Sequence, residues 1–206
     1  MTKKERAKIV MTELEKIYPE VPIPLNHRNA YELLVAVALS AQTTDKKVNE
    51  VTPKLFSVAP NPEKMAALEE AEIKELIKEI GLSTTKAKNL KIMANQLLER
   101  HNGEVPSNFE DLENLAGVGH KTASVVMSQA FGVPAFPVDT HIHRLMKQWK
   151  LTEGKNVVQT ENDAKKLFPK ETWNKLHLQI IFYGREYSPA RGNQENDYLT
   201  KMLFEK

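Results

Sequence analysis

The residues best suited to chemistry lie in Leu112-Glu113-Asn114-Leu115-Ala116-Gly117-Val118-Gly119-His120-Lys121-Thr122-Ala123. A short capped helix is expected to end at Leu115, two glycines bracket one apolar residue, and an Ala-, Ser- and Val-rich helix begins at once. Glycine permits positive φ and close approach of backbone to a ligand. The start of a helix presents unbonded N–H groups at the positive end of its dipole. Together these features form a cradle for a phosphate, with the amides of Gly117 and Gly119 aimed at it and Val118 turned inward to clamp the two helices. On Gly-x-Gly alone, a plain glycine turn between packed helices explains the pattern as well. Lys121 stands at the start of the second helix, where the dipole and any loss of solvent disfavour the ammonium and free the amine as a nucleophile. Taken alone it is also an ordinary surface lysine. Asp139 precedes a stripe of Ile142, Leu145, Met146 and Trp149 and reads as an N-cap that holds its carboxylate rigidly. Capping by itself would account for it.

His141 and His143 do not make a metal pair, because residues two apart on a helix point about 200° apart. No metal site and no cofactor are expected. Trp149, Trp173, Phe182 and Tyr183 recur at helical spacing and read as core rather than as base-stacking groups.

The elements that must position these residues all carry the helical period, and no run alternates strictly, so the fold class is all-α, with about eleven helices. Ala7, Val10, Leu14 and Ile17 line a first helix that Pro19 ends. Asn29-Ala30-Tyr31-Glu32 reads as a capping box opening a helix apolar on all sides through Leu39, the expected central helix. Asn61-Pro62 starts another. The stripe Ile73, Leu76, Ile77 and Ile80 ends at Gly81, and Leu90, Met93, Leu97 and Leu98 end near Asn102-Gly103. Ser107-Asn108-Phe109-Glu110 reads as a second capping box. Helices follow at about 120–131, 140–149, 156–168 and 171–183, punctuated by Gly132-Val133-Pro134, Gly154, Pro169 and Gly184. The Pro-interrupted run from 132 to 138 should be extended. With Pro19–Pro24 it divides the chain into an inserted helical domain, 25–134, and a second made of 1–24 and 135–206.

The chain has 206 residues and no cysteine, which excludes a disulfide scaffold, a thiolate metal site, a cysteine enzyme and a cysteine-ligated iron–sulfur protein. Hydrophobic residues at 41% and charged residues at 27% are ordinary for a globular protein. The longest apolar run, Leu33 to Leu39, is too short to span a bilayer, and residues 1–6 pass straight into a charged amphipathic stretch, so a cytoplasmic, nucleoid-associated protein with no membrane partner is expected. The net charge is only +2, but residues 141–191 hold ten Lys and Arg against five acids, whereas 60–79 hold six Glu against three Lys. One region is thus basic and another acidic.

Several ordered blocks resemble the helix-hairpin-helix DNA glycosylases and, among them, the endonuclease III group. They are Tyr31-Glu32-Leu33-Leu34-Val35-Ala36-Val37-Ala38-Leu39-Ser40-Ala41-Gln42-Thr43-Thr44-Asp45, Ile80-Gly81-Leu82 with Lys86-Ala87, His101-Asn102-Gly103-Glu104-Val105-Pro106, the Gly117–Ala123 hairpin, Val138-Asp139-Thr140-His141-Ile142-His143-Arg144 and Gly154-Lys155-Asn156-Val157. The resemblance implies two α-helical domains with duplex DNA bound in a cleft between them. It makes Lys121 the catalytic lysine and Asp139 the catalytic aspartate of a monomeric, bifunctional glycosylase and abasic-site lyase. It places Gln42 and Leu82 in the duplex where a flipped base was, and Gly117, Val118, Gly119, His120, Thr122 and His141 around the DNA and the aspartate. The partner implied is double-stranded DNA with damaged bases or abasic sites, oxidised pyrimidines above all.

Three departures stand out. Ala116 and His120 occupy positions where relatives carry Pro and a basic or aromatic residue. The C-terminal stretch, where the group usually holds four cysteines for a four-iron four-sulfur cluster, has none. Tyr198, Leu199, Met202 and Leu203, with Phe204, fall at helical spacing and are expected to dock as a terminal helix instead. Two other activities remain open: a glycosylase for another lesion, an alkylated purine or a mispaired base, and a non-catalytic DNA-binding module.

Overall fold

A computed structural model describes residues 1–192 and 194–205, and among these every regular element is helical. Asn193 and Lys206, both in the C-terminal stretch considered above, lie outside the described residues. The contacts group residues 23–132 into one compact unit and 1–22 with 133–206 into another. No helix among the described residues is long and apolar enough to cross a membrane.

In the unit 23–132, the helices are α2 (Ala30–Ser40), α3 (Asp45–Val58), α4 (Pro62–Ala67), α5 (Glu70–Leu76), α6 (Ser83–His101), α7 (Phe109–Glu113) and α8 (His120–Phe131). α2 is central because it is apolar all round. Leu33, Leu34, Val35, Ala36 and Leu39 are each fully buried, and α3, α6 and α8 pack around it. A Leu→Ala change there costs about 2–5 kcal/mol through lost contacts and cavity. Asn29 caps α2 by accepting the Glu32 amide at 2.9 Å. The return arm of the expected capping box goes elsewhere: the Glu32 carboxylate accepts the Arg28 amide and guanidinium, each at 2.8 Å.

Helix α3 is absent from the sequence expectations. Pro53 lies inside it and hides the periodicity of Val48, Val51 and Leu55, all of which are buried. Its start is signalled by Thr44, whose hydroxyl accepts the Lys47 amide at 3.2 Å. The cap of α7 is Asn108 rather than Ser107, one residue on from the expected box, with the Asp111 amide at 2.8 Å. α5 stops at Leu76, so Ile77 and Ile80 are buried from a turn rather than from a helical stripe that runs to Gly81.

The other unit holds α1 (Lys3–Ile17), α9 (Thr140–Gln148), α10 (Val157–Leu167), α11 (Trp173–Glu186) and α12 (Tyr198–Phe204). Its core gathers Val10 and Leu14 of α1 with Phe136, Ile142, Leu145, Met146, Trp149 and Tyr183. Gly184 does not end a helix as expected. It lies inside α11, where an added Cβ would stand 3.0 Å from His141 Nδ1 and 3.1 Å from Leu145 Cδ1. The glycine is there because α9 and α11 approach so closely, and no single-helix pattern reveals that. On α12 the docked residues are Leu199 and Leu203, while Met202 and Phe204 are exposed, so only part of the expected apolar face is used.

Candidate nucleic-acid interface and catalytic residues

The hairpin is built by α7, the turn 114–119 and α8. Gly117 takes φ +76, a left-handed conformation that favours glycine, and a Cβ there would press on the Asn89 side chain of α6 at 3.1 Å. Gly119 differs from the expectation that both glycines serve positive φ. Its φ is −94, open to any residue, and a Cβ on it would meet nothing within 4 Å. Nothing inside the fold asks for glycine at 119, and the open space lies at the N-cap of α8, where a helix start leaves amides without intrahelical partners. Val118 points inward and is buried.

Lys121 is the second residue of α8 and its side chain is exposed. The dipole of the helix start acts on it, but loss of solvent is not supplied by the fold itself. Thr122, one residue on, is half-buried. The His120 ring is engaged within the hairpin: Nδ1 lies 2.7 Å from Glu113 Oε1, and the ring stacks on Phe109 at 5.6 Å. It ties α7 to α8.

Two further turns meet in the same unit. Gln42, after α2, and Leu82, before α6, are both non-glycine residues in the left-handed region, at φ 57 and 60. Both are exposed, Leu82 by 58%. A Cβ on Gly81 would lie 3.6 Å from the Gln42 carbonyl oxygen, so the turns are in contact. Helix α6 supports them and the hairpin together. Lys86 Nζ donates to the Leu39 and Ala41 carbonyls, Asn89 lies under Gly117, and Gln96 Oε1 accepts the Ala116 amide at 2.7 Å. These three supporting residues escaped notice as site residues in the sequence. The signal for Lys86 was present: with Leu90, Met93 and Leu97 it falls on the apolar stripe of α6, where a lysine needs a buried partner.

In the other unit Asp139 is the N-cap of α9, with Oδ1 accepting the Ile142 amide at 2.8 Å. It is half-buried, and its charge is felt by Arg144 and by the buried His177. Oδ2 is not used by the cap. His141 packs against Gly184 of α11, whereas His143 Nδ1 lies 2.9 Å from Thr160 Oγ1 on α10. The two rings diverge, as their spacing requires.

The C-terminal segment is fastened by oxygen and nitrogen. Asp197, buried at 3% exposure, accepts the Tyr183 hydroxyl at 2.8 Å and Gln148 Nε2 at 2.6 Å, and it caps α12 through the Thr200 amide. The Arg144 guanidinium donates to the Ser188 carbonyl and hydroxyl. Trp149 and Tyr183 are fully buried beneath, as core. An iron–sulfur cluster of the kind implied by the resemblance needs thiolate ligands. This chain has none, and its buried oxygens here already bond to one another, so the residues do not fit that group.

Comparison with known proteins agrees with this geometry. Residues 35–170 match the model of the HhH-GPD superfamily of base excision DNA repair proteins. Endonuclease III of Haemophilus influenzae is 44% identical over 93% of this chain and 90% of its own length. That of Escherichia coli strain K12 has the same identity and coverage, and that of Bacillus subtilis is 42% identical over 88% of this chain and 83% of its own. Among solved structures, a non-covalent endonuclease III–DNA complex superposes with a TM-score of 0.92 at 39% identity, covering 97% of this chain and 95% of that one. A trapped endonuclease III–DNA covalent intermediate gives 0.91 at 40%, covering 94% and 92%. The glycine hairpin, the capped aspartate and relatives matched over nearly their whole length lead to one assignment: the chain belongs to the HhH-GPD superfamily of base excision DNA repair proteins, as a homologue of endonuclease III.

Proposed function

We propose that the protein is a DNA glycosylase and abasic-site lyase that removes oxidised pyrimidines from duplex DNA, with Lys121 as nucleophile and Asp139 as its electrostatic partner. The observation that carries this reading is the hairpin itself: Gly119 leaves open space at the amides that start α8, with Lys121 exposed in that same first turn. A phosphate seated on those amides fixes the backbone without reading sequence and brings the sugar to the amine. The similar endonuclease III structures in complex with DNA, one of them covalent, support the partner and the chemistry.

The damaged nucleotide turns out of the stack. The Lys121 amine attacks C1′, and the glycosidic bond breaks with its electron pair going to the base, which takes up a proton. The C1′–O4′ bond then opens to give an iminium between Lys121 and C1′. The iminium acidifies the C2′ proton, whose loss expels the 3′ phosphate by β-elimination, and water releases the lysine. The Asp139 carboxylate, held by its cap to Ile142, stabilises positive charge at C1′ and helps take the proton from the lysine. DNA supplies the exclusion of solvent that the exposed Lys121 lacks in the free protein. Gln42 and Leu82 fill the vacated place in the duplex: the amide offers a donor and an acceptor to the orphaned base, and the leucine wedges between bases.

Borohydride trapping on duplexes with single lesions tests this reading. The wild type should form a covalent complex with thymine-glycol and abasic DNA, and Lys121→Ala should not, while still binding DNA. Normal trapping by Lys121→Ala would remove Lys121 as nucleophile. Preference for an alkylated purine or for adenine in a mispair would replace the substrate class, and binding with no cleavage of any duplex would leave a DNA-binding module.

A further inference from the structure

We propose that Lys86 is the positioning residue for insertion into DNA, fixing the turn that carries Gln42 to the turn that carries Leu82 so that both side chains are presented as one unit. The inference rests on the reading that these two side chains enter the duplex. Lys86 is bonded to both turns. Its backbone amide donates to the Leu82 carbonyl at 3.0 Å, and its Nζ donates to Leu39 O at 2.9 Å, Ala41 O at 2.6 Å and Thr43 Oγ1 at 3.2 Å. Three acceptors around Nζ match the three N–H groups of an ammonium, which leaves none of them idle.

The position is a poor one for a cation by itself. Lys86 is buried at 8% exposure, and it lies in the first turn of α6, next to the positive end of that helix. The carbonyls of Leu39 and Ala41 belong to the last turn of α2, where a helix leaves acceptors unbonded and attracts positive charge. A methionine on the same stripe would fill the core without placing a charge there. The link to residues 39–43 is what only the lysine supplies. That link matters because Gln42 and Leu82 are held at φ 57 and 60, a conformation that non-glycine residues keep only where the surroundings impose it. Without it the Gln42 turn is free to relax to ordinary φ, which would redirect the side chain.

The test uses the full chain with two duplexes: one with a tetrahydrofuran abasic analogue opposite 2-aminopurine, whose fluorescence reports insertion beside it, and one with a single thymine glycol, on which single-turnover excision is followed. Lys86→Met should fold, bind undamaged duplex within about twofold of wild type, lose most of the fluorescence change, and slow single-turnover excision about tenfold or more, the effect of losing hydrogen bonds to a charged group. Added to Gln42→Ala with Leu82→Ala, it should slow excision by less than about twofold further, because its effect passes through those side chains. A Lys86→Met enzyme with wild-type fluorescence and rate overturns the proposal. If Gln42→Ala and Leu82→Ala are themselves silent, the insertion reading fails and takes the proposal with it, an outcome distinct from a silent Lys86→Met beside active alanine variants. Should Lys86→Met not fold, Thr43→Val decides: it removes one acceptor and keeps the shape, and a wild-type fluorescence change from it overturns the proposal, whereas a reduced one supports it.

Discussion

The Tyr183 hydroxyl donates to Asp197 Oδ1 at 2.8 Å and accepts the Leu199 amide at 3.0 Å, so one phenol ties the middle of the unit formed by 1–22 and 133–206 to the start of α12. Tyr183→Phe leaves a buried carboxylate short of a donor and a buried amide short of an acceptor. It should cost roughly 1–3 kcal/mol, read as a lowered Tm. Deleting residues 197–206 should lower Tm further and weaken DNA binding. Purified protein should be colourless and its cleavage unaffected by chelators, and stoichiometric iron or an undiminished Tm in Tyr183→Phe would contradict the fastening.

Asp139→Asn separates capping from catalysis. The amide oxygen can still accept the Ile142 N–H, so Tm should stay near wild type, while base excision should fall by about a hundredfold or more. Excision near the wild-type rate would leave Asp139 with the cap alone.

The two glycines 119 and 184 should respond in opposite ways to alanine. At 119 there is open space and an ordinary φ, so Gly119→Ala should leave Tm unchanged and weaken DNA binding. At 184 the new methyl meets His141 and Leu145 at 3.0–3.1 Å. Gly184→Ala should destabilise by about 1–3 kcal/mol through overpacking, outweighing the better helix propensity of alanine, about 1 kcal/mol.

His177 on α11 is buried, with Nδ1 donating to the Trp173 carbonyl at 2.9 Å, and burial pushes its pKa down from 6.5 to about 4. Above pH 6.5 the ring is neutral whether the chain is folded or not. As pH falls from there towards 4, the unfolded chain takes up a proton that the folded ring refuses, so stability present above pH 6.5 is lost, by about 3 kcal/mol at most. Denaturant melts across this window should show that slope, and His177→Leu should flatten it. An unchanged slope in that variant would assign the acid sensitivity to other groups.

Elements whose instructions are local were legible in the sequence. Asn29 and Asn61 each cap the helix they precede, and the amphipathic stripe of α9 pointed to Asp139 as its cap. The Gly-x-Gly turn could be located the same way, whereas packing under the loop was as good a reading of Leu82 until the fold showed it exposed. What escaped was set by contacts between elements. Pro53 is tolerated inside α3 although proline breaks helical periodicity, Gly184 answers to α9 rather than to its own helix, and the acceptors that Lys86 needs on its apolar stripe are visible only when the end of α2 is placed beside it. The cap of α7 moved by one residue because Ser107 and Asn108 are both good caps and only the fold chooses between them.

The Asp197 fastening of the tail contains no sulfur, and neither does any other cross-link of this chain. Peroxide and related oxidants act first on thiolates, carrying them through sulfenic to sulfonic acids. A carboxylate bonded to a phenol and an amide offers them no such starting point. Peroxide therefore finds no thiolate in the tail of this protein, and methionine is the one sulfur group it can attack.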